Sequence, residues 1–162
     1  MEGPSLFLAQ EQLKPFKKRT VLSVSGNTKL AKERLGSLAV KDIFAWGKHL
    51  VFQFDTFAVR FHFMLFGTYE AIVNGIAVTG DYKRSREPRL KLTFENGEFS
   101  SFNCSIKFIE SKNAKKEYDF TIDIMSQKWD GAQAFKALRA NAKEEIADVL
   151  LDQTIFAVSA IS

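Results

Sequence analysis

Between residues 40 and 73 the chain carries four short runs patterned as half-buried strands, and this stretch limits the possible fold more than any other. The runs are VKDIFAW, GKHLVFQFD, FAVRFHFML and GTYEAIV. In HLVFQFD and VRFHF apolar and polar side chains alternate with period two, so one set faces a core and the other faces outward. Gly47 falls between two of the runs, where a tight turn is expected. A second block, RLKLTFENGEFSSFNCSIKFIE, sets Asn96-Gly97 between two further strands, the dipeptide that most favours a hairpin turn. Most of the 16 phenylalanines lie in such runs beside valine, isoleucine and leucine and are read as core.

The flanks read differently. A helix is expected over 5–14, with Pro4 suited to a first helical turn and Pro15 stopping its continuation. A strand over 20–25 and a short helix over 29–35, closed by Gly36, come next. The polar, glycine-bearing stretch 74–88 is expected to be a loop. After the charged KNAKKE run the pattern turns helical in GAQAFKALRAN and KEEIADVLLDQTIFA, where Ile146, Val149, Leu150 and Phe156 roughly keep helical spacing. Strands followed by helices imply an α+β class. The expected architecture is a β-sandwich flanked by an N-terminal helix over 1–116, followed by a short helical segment over 117–162.

Charge is unevenly placed along this plan. Residues 1–116 hold 19 lysines and arginines against 11 acids, a surplus of 8, whereas the remainder holds 4 against 8. Such asymmetry suits a polyanion bound by the first part, and equally suits a merely solvated basic surface. The lone cysteine, Cys104, excludes an internal disulfide framework and any multi-cysteine zinc site within these residues. No apolar run approaches the roughly 20 residues that span a bilayer, and the opening MEGPSLFLAQEQ has no basic leader. A soluble, cytoplasmic, nucleoid-associated protein without membrane partner, metal or small-molecule cofactor is expected.

Four motifs stand in a particular order: EGP at 2–4, WGKHL at 46–50, HFMLFG at 62–67 and LLDQTIFA at 150–157. Together with the NGE turn at 96–98 and the FNCSIKFIE strand after it, they resemble the formamidopyrimidine-DNA glycosylase and endonuclease VIII family, more closely the endonuclease VIII branch. The resemblance covers almost the whole chain. It implies base excision repair: recognition of oxidised bases in double-stranded DNA, hydrolysis of the glycosidic bond, and nicking at the abasic site. The implied partner is double-stranded DNA with a damaged or abasic nucleotide.

The resemblance also assigns roles. In the family an N-terminal proline amine attacks C1′ of the nucleotide and forms a Schiff base, and the next glutamate moves protons. Glu2 takes that second place, while no proline stands between Met1 and Glu2, so the primary α-amine of Met1 is the nucleophile candidate. Lys48 matches the family's hairpin lysine, which touches the backbone near the lesion. His62 is implied as a positioning residue, and Met64, Leu65 and Phe66 as side chains that fill the gap when a nucleotide is flipped out, Leu65 foremost. On its own pattern, Met64 reads equally well as a continuation of a core strand. Arg60, Arg89 and Lys107 are further candidates for backbone contacts.

Two departures qualify this. Besides the absent proline, LLDQTIFA runs on as AVSAIS, without the glycines and asparagine that hold phosphate in the family, and the zinc finger has no counterpart in these residues. An impaired enzyme and a non-catalytic DNA-binding fragment of the same fold are therefore both open. A β-rich interaction module unrelated to DNA would explain the charge but not the motif order.

Overall fold

The computed structural model describes residues 1–79 and 87–157. Among these residues seven strands form the scaffold: β1 (Ser23–Ser25), β2 (Asp42–Trp46), β3 (His49–Gln53), β4 (Ala58–Val73), β5 (Ile76–Thr79), β6 (Leu90–Phe94) and β7 (Gly97–Ile109). All pairings are antiparallel, in the order β1-β6-β7-β4-β3-β2, with β5 beside the end of β4. β4 and β7 pair along their length except at a break between Phe63 and Thr68. Each of the two long strands thus serves two half-sheets, one holding β2 and β3, the other β1, β5 and β6.

Aromatic contacts close the halves on each other. Phe52 of β3 lies 5.0 Å from Phe99 of β7 between ring centroids, and Phe61 of β4 lies 5.3 Å from the same ring. The inward positions of the alternating runs, Leu50, Phe52, Val59, Phe61, Leu92 and Phe99, are fully buried. Each such side chain contributes about 1.5–3 kcal/mol relative to exposure. The result is the expected α+β sandwich.

Helix α1 (Gly3–Leu13) starts at Pro4 in its first turn and buries Leu6, Ala9 and Leu13 on one face. It is tied to the sheet by the Gln10 side chain, whose Oε1 accepts the Ala45 N–H at 2.7 Å, and by Gln12, whose Oε1 accepts the Tyr69 hydroxyl at 2.6 Å. This docking fixes where the first two residues point.

Several expectations from sequence are corrected. The runs FAVRFHFML and GTYEAIV are one strand of 16 residues interrupted by a bulge, because β7 continues unbroken beside both. The loop expected over 74–88 contains β5, entered through Asn74 and Gly75 at φ 50° and 81°. Two consecutive positive-φ residues make the tight turn that matches strand twist. The rest of that loop, at 80–86, lies outside the described residues, as do 158–162 of the AVSAIS ending. The helix expected over 29–35 is a 3-10 turn at Lys32–Leu35, and the strand over 20–25 is regular only at Ser23–Ser25.

The C-terminal part holds α2 (Gly131–Ala140) and α3 (Ile146–Leu151). Asp130 caps α2 by accepting the N–H groups of Ala132 and Gln133. KEEIADVLLDQTIFA does not make one helix. Asp152 accepts from the Thr154 N–H at 2.8 Å and its hydroxyl at 2.7 Å, a local turn that competes with helix continuation. Among the described residues no helix is long and apolar enough to cross a membrane.

Candidate nucleic-acid interface

The outer face of β2, β3, β4 and β7 sets side chains in rows dictated by register. One row runs Trp46, His49, His62, Ser105, and the next runs Phe44, Val51, Arg60, Lys107. Over the apolar end of this face lies the segment after β7, whose Ala114 packs with Phe44, Val51 and Ala58, joined by Tyr118 and Phe120. Gln53 holds it there. Its Oε1 accepts the Ala114 N–H at 2.8 Å, and its Nε2 donates to the Ser111 carbonyl at 2.9 Å. Tyr118 therefore stands against Trp46 and His49, at 5.1 and 5.8 Å between centroids, and the Trp46 indole N–H donates to the Asp119 carbonyl at 2.8 Å.

Lys48 sits in the turn between β2 and β3. Gly47, at φ 52°, gives that turn its left-handed residue, and a Cβ there would fall 2.1 Å from the Ala157 carbonyl oxygen. Its N–H points at the buried Asp123 carboxylate, at 3.4 Å. Burial holds the Asp123 carboxyl above the usual carboxylate range. The turn is thus supported from beneath by residues 123 and 157, both far along the chain.

Around this turn the candidate site residues converge. Lys48 Nζ lies 3.6 Å from Glu2 Oε2, and that oxygen is buried with no hydrogen-bond partner. The two observations agree: at this distance the groups form an ion pair without a hydrogen bond. The Met1 side chain is packed into the main core, which fixes the terminal amine near the same place. Burial lowers the pKa of His62, and the charges of Arg60, Lys48 and the terminal amine push it further down. His49 is pushed down to about 4 by burial, then by Arg60 and His62. Both imidazoles are neutral at pH 7, with ring centroids 5.0 Å apart.

Beside them, at the break in β4, the loop carrying Met64, Leu65 and Phe66 exposes all three side chains, by 51%, 66% and 51%. Three adjacent exposed apolar side chains are costly in water, and the reading of Met64 as core is corrected by this exposure. The loop is built, not frayed. Phe66 has φ 61°, Asn103 at φ 48° donates its side-chain amide to the Leu65 carbonyl at 2.6 Å, and a Cβ on Gly67 would come within 2.8 Å of Met64 backbone.

Not every candidate joins this group. Lys107 does, exposed and directly across from Arg60. Arg89 is engaged elsewhere: it donates to the Asn27 side chain at 3.2 Å, and its charge reaches Cys104, which pairs with Phe63 at the break in β4. Sequence reasoning misses His49, Tyr118 and Asn103. His49 lies inside the WGKHL motif, where strand alternation would place it, whereas nothing local marks Tyr118 or the positive φ of Asn103. Among the described residues no group of three or more His, Cys, Asp or Glu side chains could hold a metal ion.

No family model matches the chain, and no curated protein does. Solved structures do match in shape. A viral DNA glycosylase superposes with a TM-score of 0.75 at 16% identity, over 98% of this chain and 66% of that one. Over the length it spans, the chain has the fold of the formamidopyrimidine-DNA glycosylases. Lactococcus lactis formamidopyrimidine-DNA glycosylase, non-covalently bound to DNA with an abasic site, gives a TM-score of 0.75 at 19% identity, over 98% of this chain and 64% of that one. Another complex of the Lactococcus lactis enzyme with abasic-site DNA gives 0.74 at 18%, over 96% of this chain and 61% of that one. The chain therefore spans less than two thirds of the glycosylases it matches. These matches do not separate the endonuclease VIII branch from the formamidopyrimidine branch.

Proposed function

We propose that the chain binds double-stranded DNA at a damaged or abasic nucleotide, as a base-excision glycosylase of the formamidopyrimidine and endonuclease VIII kind, closer to endonuclease VIII. One observation carries the reading: the terminal amine, Glu2, Lys48 and His62 meet at one end of β3 and β4, immediately beside an exposed apolar loop. Lys48 neutralises a backbone phosphate as a point charge. Leu65, with Met64 and Phe66, enters the stack and replaces the nucleotide that leaves it.

The chemistry proposed is weak lyase activity. The Met1 amine adds to C1′ of the ring-opened abasic sugar and loses water to give an imine, and Glu2 carries the protons. Elimination of the 3′ phosphate then nicks the strand. A second reading, DNA binding without chemistry, is favoured by one observation: the Met1 side chain is packed into the core, so the amine has little freedom to approach a sugar.

Borohydride trapping on an abasic duplex separates the two. A covalent adduct, lost when the amine is acetylated, supports the lyase. No adduct from this chain but one after insertion of proline between Met1 and Glu2 leaves a scaffold without its nucleophile. Incision of duplexes with thymine glycol or dihydrouracil would extend the activity to oxidised bases, and absence of lesion-dependent binding and of any adduct overturns the proposal.

A further inference from the structure

Arg60 is the feature that the proposed chemistry leaves unused. Its side chain is half-buried on the outer face of β4, and its Nε is buried with no hydrogen-bond partner. Among the described residues no ion pair reaches it, although nine others form there. Its neighbours are themselves basic: Lys107 directly across on β7, and His62 two residues on along β4. A guanidinium in such company lacks a counter-charge, and a buried donor without a partner is costly.

Its aim is nevertheless fixed. Tyr118, brought over the sheet by the segment that Gln53 holds, lies with its hydroxyl within hydrogen-bonding reach of the guanidinium. From there the phenol oxygen can accept one guanidinium N–H and leave the other donors of the fork for a ligand. A planar fork beside an exposed lysine and an imidazole N–H matches a tetrahedral anion that offers several oxygens.

We infer that Arg60, flanked by Lys107 and His62 and oriented by Tyr118, binds a backbone phosphodiester at a position separate from the one Lys48 serves. The inference rests on the DNA-binding reading above. Tyr118 is a positioning residue, since it acts through Arg60.

The test is the salt dependence of binding to a duplex with a tetrahydrofuran abasic analogue, for the wild type and for R60Q, R60K, K107Q, Y118F and, as control, K91Q. Lys91 is already paired with Glu98, at 2.8 Å. R60Q should flatten the slope of log K against log salt by about 0.9, the loss of one phosphate contact, and K107Q should flatten it in the same direction. R60K should keep the slope and weaken binding roughly tenfold, because charge survives and the fork does not. Y118F should weaken binding with the slope unchanged, which a merely structural loss would not select, and K91Q should match the wild type. Thermal melts check that each variant is folded.

An R60Q slope equal to that of the wild type overturns the inference while leaving DNA binding intact. Should the wild type not bind DNA at all, the DNA reading falls, and titration of the protein with inorganic phosphate decides the site by itself. A saturable shift of the Arg60 Nε–Hε resonance, absent in Y118F, supports an anion site there. No shift overturns it.

Discussion

Substituting Gly47 by Ala tests how the Lys48 turn is held, and Gly75 supplies its control. Both glycines have positive φ, at 52° and 81°, so both substitutions incur the left-handed penalty of about 1–2 kcal/mol. They differ in space. Around Gly75 a Cβ meets nothing within 4 Å, whereas at Gly47 it falls 2.1 Å from the Ala157 oxygen and 3.0 Å from its carbonyl carbon. The turn or the 152–157 segment must move. If the segment undocks, Phe156 and Ala157, now buried, return to water, and the Ala157 N–H loses the Ile122 carbonyl at 3.1 Å. Burial of the phenylalanine is worth about 2–3 kcal/mol and the hydrogen bond about 1 kcal/mol. G47A should therefore cost about 4–6 kcal/mol against about 1–2 kcal/mol for G75A. Urea denaturation measures the difference, and hydrogen exchange at the Ala157 amide locates it. Equal stabilities of the two variants, with Ala157 still protected, would refute the claim that residues 152–157 brace the turn.

Other outcomes rest on the same geometry. His49 has a folded pKa of about 4 against 6.5 when free, so the unfolded chain takes up more protons between these values. Stability present above pH 6.5 should fall as pH drops towards 4, by roughly 2–3 kcal/mol, and H49Q should flatten that dependence in urea melts run across the range. Leu65 is 66% exposed, so L65A should shift stability by no more than about 0.5 kcal/mol while weakening binding to abasic duplex; an equal loss on intact duplex would show that it is no wedge. Burial pushes the Cys104 thiol up to about 11, so it should react with a disulfide reagent only on unfolding; fast reaction in the native state would contradict its place in the core.

Sequence discloses the scaffold wherever one face of a strand is buried. The alternation of β3 and the Asn96-Gly97 turn survive into the structure because burial of every second side chain fixes their register. It fails where non-local partners decide. The Asn74-Gly75 turn is the same signal as the one at 96–97, yet it sits at the head of a polar stretch that hides β5. The bulge in β4 is set by Asn103 on the neighbouring strand, and α3 ends at a side-chain turn on Asp152 that helical periodicity does not register. In the candidate site Glu2, Lys48, His62 and Leu65 are legible from motifs. Tyr118 and Gln53 are not, because they act through contacts distant in the chain, such as that of Gln53 with Ser111, 58 residues away.

The central claim is that a cationic cluster and an apolar wedge on one sandwich together hold a nucleotide that has left its stack. Comparative binding of two duplexes, identical except for one abasic analogue, tests it most directly. The account predicts at least roughly tenfold tighter binding to the abasic duplex, where no stacking has to be broken, and loss of that preference in L65A. Equal affinity for both duplexes in the wild type would contradict it.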